Sequence, residues 1–253
     1  MDLLFWKKVT PRKLNKILDA HQLWFSSRQK EGTRANLSDA NLREIKLEGK
    51  DLRRADLSNA KLIKAALNMA DLREADLIGA NLSMADLQEA DMREVNLSQA
   101  DLSNADLNQA NLIMANLGQA NLNGSNLKDA TLFRTYLKGA ELNKANLSGA
   151  DLREANLSQT TLNNADLSQA NLIMANLSRA NLIGVNLKDA NLFRAYLKDA
   201  DLRRADLRGA DLSGTNLSGA NLEDAALMED QLITAVIDEY TILPDGSKGL
   251  MNS

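Results

Sequence analysis

The sequence predicts an all-β solenoid, in which the chain winds through many short and similar coils. Leucine recurs every five residues from Leu37 through Leu232, with Met92 as the single replacement. The residue two positions before each leucine is usually alanine, and the residue between them is usually Asn or Asp. A longer repeat lies over this one, because the stretch that begins at Asn111 returns from Asn171 with Ile, Met, Phe, Arg and Tyr in the same places.

A period of five residues fits neither a single helix nor a continuous strand. On a helix, successive leucines would lie about 140° apart and would surround the cylinder. On a strand, an odd period would send alternate leucines to opposite faces. A coil that turns a corner in every unit satisfies the pattern. Ala and Leu then point inward, Asn or Asp points outward, and the next two residues form the turn.

The segments "ANLSDANLRE", "ADLRRADLSNA" and "ANLSGADLRE" resemble the pentapeptide-repeat family, whose pattern is A-(D/N)-L-x-x. The resemblance covers residues 35–242. It implies a right-handed quadrilateral β-helix with one pentapeptide on each side and roughly twenty residues per coil. About ten coils, stacked at the strand spacing of about 4.8 Å, would form a rod about 50 Å long.

Residues 1–34 are predicted to form an N-terminal helical cap, carried by "TPRKLNKILDAHQLWFSSRQKEG". Thr10 suits the N-cap position and Pro11 the first turn. Apolar residues follow at helical spacing, and Gly32 suits the stop or the link to the first coil. The segment is similar to N-terminal caps of some bacterial family members. We expect the side that carries Trp24 and Phe25 to cover the open first coil.

Residues 243–253 are predicted to form a C-terminal turn and tail, because Pro244-Asp245-Gly246 is a turn signal. Asp230 occupies an alanine slot, so the regular core is expected to fray there. Ile237 and Ile242 keep the phase of the leucines. The segment before Ile242 stays open between a further coil and a short helix over residues 227–237. The final residues are expected to be disordered.

Composition and motifs predict a cytoplasmic protein that is not an enzyme. Thirty Lys and Arg against 34 Asp and Glu give a net charge of -4, which argues against direct nucleic-acid binding. Cysteine is absent, and the opening "MDLLFWKKVT" is too short for a membrane span. No phosphate loop, metal-ligand cluster or nucleophile elbow appears, so we expect no cofactor, metal or catalytic residue. His21, the only histidine, is interpreted as a packed residue of the cap.

The returning stretch places apolar residues on the outside of the predicted coil. A shift of sixty residues equals three coils of roughly twenty, so both copies should lie on the same faces. Most outward positions are polar, but here they hold Ile, Met and Phe beside Arg and Tyr, which is the composition of an interface hot spot. The candidate partner-binding residues are Ile113, Met114, Phe133, Arg134, Tyr136, Ile173, Met174, Phe193, Arg194 and Tyr196.

These observations favour a protein–protein interaction module, regulatory in role, that acts as a monomer or homodimer and holds an unidentified protein partner. The resemblance supports this hypothesis, because cyanobacterial-type members with similar ends include regulators that act by protein contact. A second interpretation is that the strip was inherited with the duplicated block and binds nothing.

The alternative function is a DNA-mimic modulator or protector of DNA gyrase, as in some members of the family. Those members use Phe at many central positions, whereas this chain uses Leu almost throughout. They are also more acidic along the rod. Here acids stand beside bases, as in Asp71-Leu72-Arg73-Glu74, which weakens a phosphate-like field.

Overall fold

The computed structural model describes residues 7–249, and its repeats form a four-sided β-helix. Residues in the Asn/Asp slots pair in parallel with the residue twenty positions later, beginning with Asn36 and Asp56. Each coil therefore contains four pentapeptides, and the predicted solenoid is confirmed. The first six residues of the predicted cap and the predicted tail beyond Gly249 lie outside the described residues.

Each corner of the coil is a β-turn built from the residues after an inward leucine. In one example, the Ala75 amide donates to the Leu72 carbonyl at 3.0 Å. The residue before the alanine has positive φ at every fifth position from Asp39 to Asp224, and in many coils this residue is not glycine. Positive φ at the third turn residue alone is the signature of a type II turn.

The inward slots form one continuous core. Every residue at the leucine positions from Leu37 to Leu222 is at most 2% exposed, Met92 included.

The Asn or Asp side chain of each unit stabilises the turn that follows it, since its oxygen accepts a hydrogen bond from the amide two residues later. Asn111 accepts in this way from the Ile113 amide at 3.2 Å. This contact holds the start of the turn and explains the preference for Asn and Asp.

The N-terminal segment carries two elements. Strand β1 (Lys7–Lys8) pairs in parallel with β2 (Ala40–Asn41) on the first coil, a pairing that the sequence did not predict. Helix α1 (Pro11–Ser26) begins at the predicted N-cap, where the Thr10 hydroxyl accepts from the Lys13 amide at 3.3 Å.

Helix α1 packs on the first coils through one side. Leu14 is 4% exposed and belongs to the same apolar core as the leucines of the repeats. His21 is fully buried, and its Nδ1 accepts from the Ala35 amide at 3.1 Å. The Arg53 guanidinium lies 4.1 Å from the centre of the Phe25 ring. In the link, Gly32 has φ of 76°, and a side chain there would collide with the Ala20 carbonyl oxygen.

Near the C-terminus a short helix interrupts the regular coil. Both alternatives left open by the sequence are realised in part, because the helix is shorter than residues 227–237 and the ladder resumes where Val236 pairs with Asn216. Helix α2 spans Glu229–Ile233 and begins where Asp230 stands in an alanine slot. The Gln231 side chain donates to the carbonyls of Leu207 and Ala210 at 2.7 and 2.8 Å. The side chain thereby bonds to the end of the regular stack in place of the backbone of a further regular coil.

The prediction that Ile242 keeps the leucine phase is wrong. Asn221 pairs with Ile242, which is 21 residues later (242 − 221) instead of twenty, so Ile242 stands in an Asn/Asp slot. Thr241 fills the alanine slot, is fully buried, and donates to the Leu217 carbonyl at 3.0 Å. The extra residue is accommodated in the turn at Asp238, whose carboxylate accepts from the amides of Tyr240 and Thr241.

The predicted turn at Pro244-Asp245-Gly246 is present. The Gly246 amide donates to the Leu243 carbonyl at 2.9 Å. The chain then reverses, and Lys248 pairs with Ile242 in antiparallel orientation.

Candidate protein-binding strip

The ten predicted site residues lie along one corner of the solenoid and on the face that follows it. We call this set the apolar strip, with a first copy at residues 113–136 and a second copy at residues 173–196. Within each copy the Met and Phe positions are adjacent, because the Met114 amide donates to the Phe133 carbonyl and the Met174 amide to the Phe193 carbonyl, both at 3.0 Å. The structure therefore brings together the residues of each copy.

Much of the apolar strip is open to solvent. Met114 is 55% exposed and Phe193 36%, and Met174, Tyr136 and Tyr196 are exposed as well. The two isoleucines and Phe133 are half-buried. Because these side chains project from regular turns whose backbones are hydrogen-bonded to the next coil, their positions are set by the fold.

In the first copy, two guanidinium groups lie close to the aromatic ring. Those of Arg134 and Arg153 are 4.8 and 5.5 Å from the centre of the Phe133 ring. Arg134 pairs with Glu154 at 2.7 Å between Nε and Oε2. Arg153 donates twice to Asp151, at 2.8 and 2.6 Å, and this bonding lowers the pKa of that carboxyl. Both cations of the first copy are therefore balanced by carboxylates.

The second copy lacks these partners. The Arg194 guanidinium lies 5.0 Å from the centre of the Phe193 ring. One coil later, Ser213 stands where the first copy has Arg153, and Gly214 stands where it has Glu154. Among residues 7–249, Arg194 makes no ion pair. The difference can be read from the sequence by comparing positions twenty residues apart. Only the contacts show that it leaves the charge of Arg194 without a partner among the described residues.

A polar groove of about 300 Å³ borders the first copy. Tyr136 lines it and lies close over Gly118, where an added Cβ would be 2.9 Å from the tyrosine ring. The second copy has Ser178 at the position of Gly118. The groove is lined by Ser98, Gln99, Asn116, Gly118, Gln119, Tyr136, Lys138, Gly139 and Gln159.

Sequence reasoning missed a second apolar surface at the C-terminal end. A cavity of about 410 Å³ is lined there by Leu227, Leu232, Leu243, Pro244 and Asp245. Exposed apolar side chains stand near it in the chain, namely Met228, Ile233, Val236 and Tyr240. The break in the five-residue period at Asp230 was the one sequence signal for this surface. The orientation of the residues that follow depends on α2 and could not be predicted from it.

No group of three or more His, Cys, Asp or Glu side chains within residues 7–249 is placed to hold a metal ion. Over the same part of the chain, none of the helices is long and apolar enough to cross a membrane.

Comparison with known families identifies the repeats. The family model described as pentapeptide repeats matches in overlapping segments that together run from residue 35 to residue 227. The chain belongs to the pentapeptide-repeat family. The resemblance predicted from the five-residue pattern is therefore confirmed. A comparison with curated protein sequences gave no match.

Among solved pentapeptide-repeat structures, HetL from the cyanobacterium Nostoc sp. strain PCC 7120 is similar over nearly its whole length. The identity is 34%, the match covers 90% of this chain and 97% of HetL, and the TM-score is 0.59. HetL is described as a pentapeptide repeat protein involved in heterocyst differentiation regulation.

Two further pentapeptide-repeat structures are more distant. Full-length QnrB1, a plasmid-mediated fluoroquinolone resistance protein, is 14% identical, with 84% of this chain and 93% of QnrB1 covered and a TM-score of 0.49. A protein from the thylakoid lumen of Arabidopsis thaliana is 26% identical, with 56% and 74% covered and a TM-score of 0.34. Neither likeness is strong enough to carry an argument about function.

Proposed function

We propose that this pentapeptide-repeat protein is a non-enzymatic interaction module with a regulatory role, and that the apolar strip holds its protein partner. The observation that carries the proposal is the row of outward Phe, Met and Tyr, which appears twice, three coils apart, and is exposed except at half-buried Phe133. Large apolar side chains clustered beside arginine are the usual anchors of protein interfaces. Their regular backbone also reduces the entropy lost on binding.

The likeness to HetL supports a regulatory role. Identity of 34% over 90% of this chain makes the two proteins comparable along the solenoid. HetL takes part in the regulation of a differentiation process. We infer a related mode of action here, in which the rod binds a protein in the cytoplasm as a monomer or homodimer.

The DNA-mimic modulator of gyrase stays the weaker alternative. A mimic of duplex DNA needs an uninterrupted acidic face. On the face that carries Asp51, Asp71 and Asp91, each carboxylate accepts at 2.6 Å from an arginine two residues later. These arginines neutralise the acidic row. No direct nucleic-acid binding is expected for a chain with net charge -4.

Two finer features of the architecture belong to the proposal. We infer that the coils wind to the right, since crossover connections between parallel strands are right-handed in nearly all proteins. We also infer that α1 serves as the N-terminal cap. Buried Leu14 and His21 support that role, because the first coil would otherwise expose its apolar side and unpaired strand edge to water.

The test is a quantitative pull-down from lysate of the source organism with full-length protein as bait. Wild type is compared with Phe133→Ser/Phe193→Ser and with Met69→Ser/Met84→Ser, which removes exposed apolar side chains away from the strip. Circular dichroism checks that all three baits are folded. We expect a protein that wild type and the control retain and the strip variant loses. Equal retention by all three baits, or no specific retention at all, would refute the proposal.

A further inference from the structure

We infer that the second copy is the binding half of the apolar strip, and that its ligand is a protein segment with a carboxylate beside an apolar side chain. This inference rests on the proposed function and specifies the chemistry of the partner. It starts from the different surroundings of two similar sequences, which place the same strip side chains three coils apart on the solenoid.

The arginines of the first copy already have carboxylate partners within the chain. Phe133 has two guanidinium groups within 5.5 Å of its ring centre, and it is only partly exposed. Arg134 is held by Glu154 and Arg153 by Asp151. A partner carboxylate that approached Arg134 would have to displace an acid already in place, and it would be repelled by that acid.

The second copy offers the same groups without internal partners. Phe193 is 36% exposed, and Ser213 stands at the position of Arg153 in the first copy. Arg194 meets Gly214 where the first copy has a glutamate, and it makes no ion pair with any described residue. A guanidinium over an aromatic ring keeps its edge N–H groups available, and those groups match a carboxylate in geometry. The exposed rings of Phe193 and Tyr196 provide the adjoining apolar surface.

The charge of the surroundings favours a protein carboxylate over a polyanion. Arg194 makes no ion pair with a described residue, and one carboxylate would neutralise it. The neighbouring face carries Asp211, which pairs with Asn191 in the ladder, and the whole chain has a net charge of -4. A nucleic acid would meet these negative charges with its own.

Three single substitutions distinguish the contribution of the second copy to binding from that of the first. Arg194→Gln removes the unpaired cation. Gly214→Glu supplies the missing internal partner, and the backbone permits it because Glu154 has φ of 57° and Gly214 has φ of 67°. The new Cβ would lie 3.2 Å from Arg194 Cγ, so the exposed arginine side chain has to shift slightly. Arg134→Gln is the matched control, since it removes the equivalent cation of the first copy.

The probe is a phage-displayed library of random dodecapeptides, selected on immobilised full-length protein. The most enriched sequence is then synthesised with a fluorophore, and its Kd is measured by anisotropy for wild type and the three variants. Circular dichroism confirms the fold of each variant. A duplex DNA competitor distinguishes a carboxylate site from a general anion site.

We expect the enriched peptides to share Asp or Glu next to an aliphatic or aromatic residue. Arg194→Gln and Gly214→Glu should each weaken binding about tenfold or more, the usual scale for a charge-assisted contact, and Arg134→Gln less than about twofold. Equal effects of Arg194→Gln and Arg134→Gln, enriched peptides without acids, no enrichment, or displacement by DNA would each overturn the inference. If Phe133→Ser/Phe193→Ser still loses its partner in the lysate, the proposed function stands without this refinement.

Discussion

At the scale of single residues, His21 is the group that couples this fold to pH near neutrality. It is the only histidine, and its Nδ1 accepts from the Ala35 amide where α1 meets the first coil. Burial lowers its pKa below the ordinary value of 6.5, and the nearby carboxylate of Asp51 opposes the shift. Arg53 and Arg34 add to the lowering by charge repulsion. A proton on Nδ1 would also replace the acceptor of the Ala35 amide with a donor.

The free energy of unfolding should therefore fall as the pH drops from about 7.5 to about 5.5. The unfolded chain takes up the proton at its ordinary pKa, whereas the folded chain resists it, so stability is complete above that pKa and declines below it. Urea unfolding and hydrogen exchange at the Ala35 amide measure the effect.

The control for this prediction is His21→Gln, which keeps an acceptor near Ala35 but does not titrate in that range. Its unfolding free energy should change less between the two pH values than that of wild type. The same decline in both proteins would show that other groups are responsible.

At the scale of the elements, α1 and the first coils form one packing unit. Leu14 is the apolar side chain of the helix that enters the shared core, and it lies four residues beyond the Thr10 N-cap. In a solenoid each coil contacts only its neighbours, so a defect at one end is expected to stay local.

Leu14→Ala should cost about 2–5 kcal/mol in the stability of this end, the typical range for a buried leucine. Hydrogen exchange should report faster exchange in α1 and the first coil, and little change at residues 151–170. Asn15→Ala, at an exposed position of the same helix, is the control. Loss of protection along the whole rod would mean that the solenoid unfolds as one unit.

At the scale of the whole molecule, the central leucines pack successive coils of the rod against one another. Leu132 is fully buried, and its amide donates to the Asp151 carbonyl of the next coil at 2.7 Å. A cavity at this level removes contacts with the coil before it and the coil after it.

Leu132→Ala should lower the free energy of unfolding by about 2–5 kcal/mol and broaden the urea transition, because the two halves of the rod become less tightly coupled. Lys128→Ala, at an exposed corner, should leave both the midpoint and the slope nearly unchanged. A similar midpoint for Leu132→Ala and wild type would contradict the assumed packing of the core.

The sequence by itself determined the features that arise within one pentapeptide. The inward Ala and Leu, the turn after each leucine, and the Asn or Asp that holds the turn all depend on residues within five positions of one another. Thr10 and Pro11 likewise determine the start of α1 through contacts inside a single turn. Such local rules can be recognised without knowledge of the rest of the chain. The ten residues of the apolar strip could be placed on one corner and the face after it by counting in twenties, because the local rules repeat with a constant period.

Only the tertiary structure decided what depends on the next coil or on its absence. The pairing of β1 with β2 joins residues far apart in sequence. The extra residue before Ile242 appears where the regular stack ends and α2 intervenes. The difference between the two copies of the strip has the same origin. Arg134 and Arg194 have similar sequence neighbours, but the residue stacked on each belongs to a different coil, and that residue sets the charge.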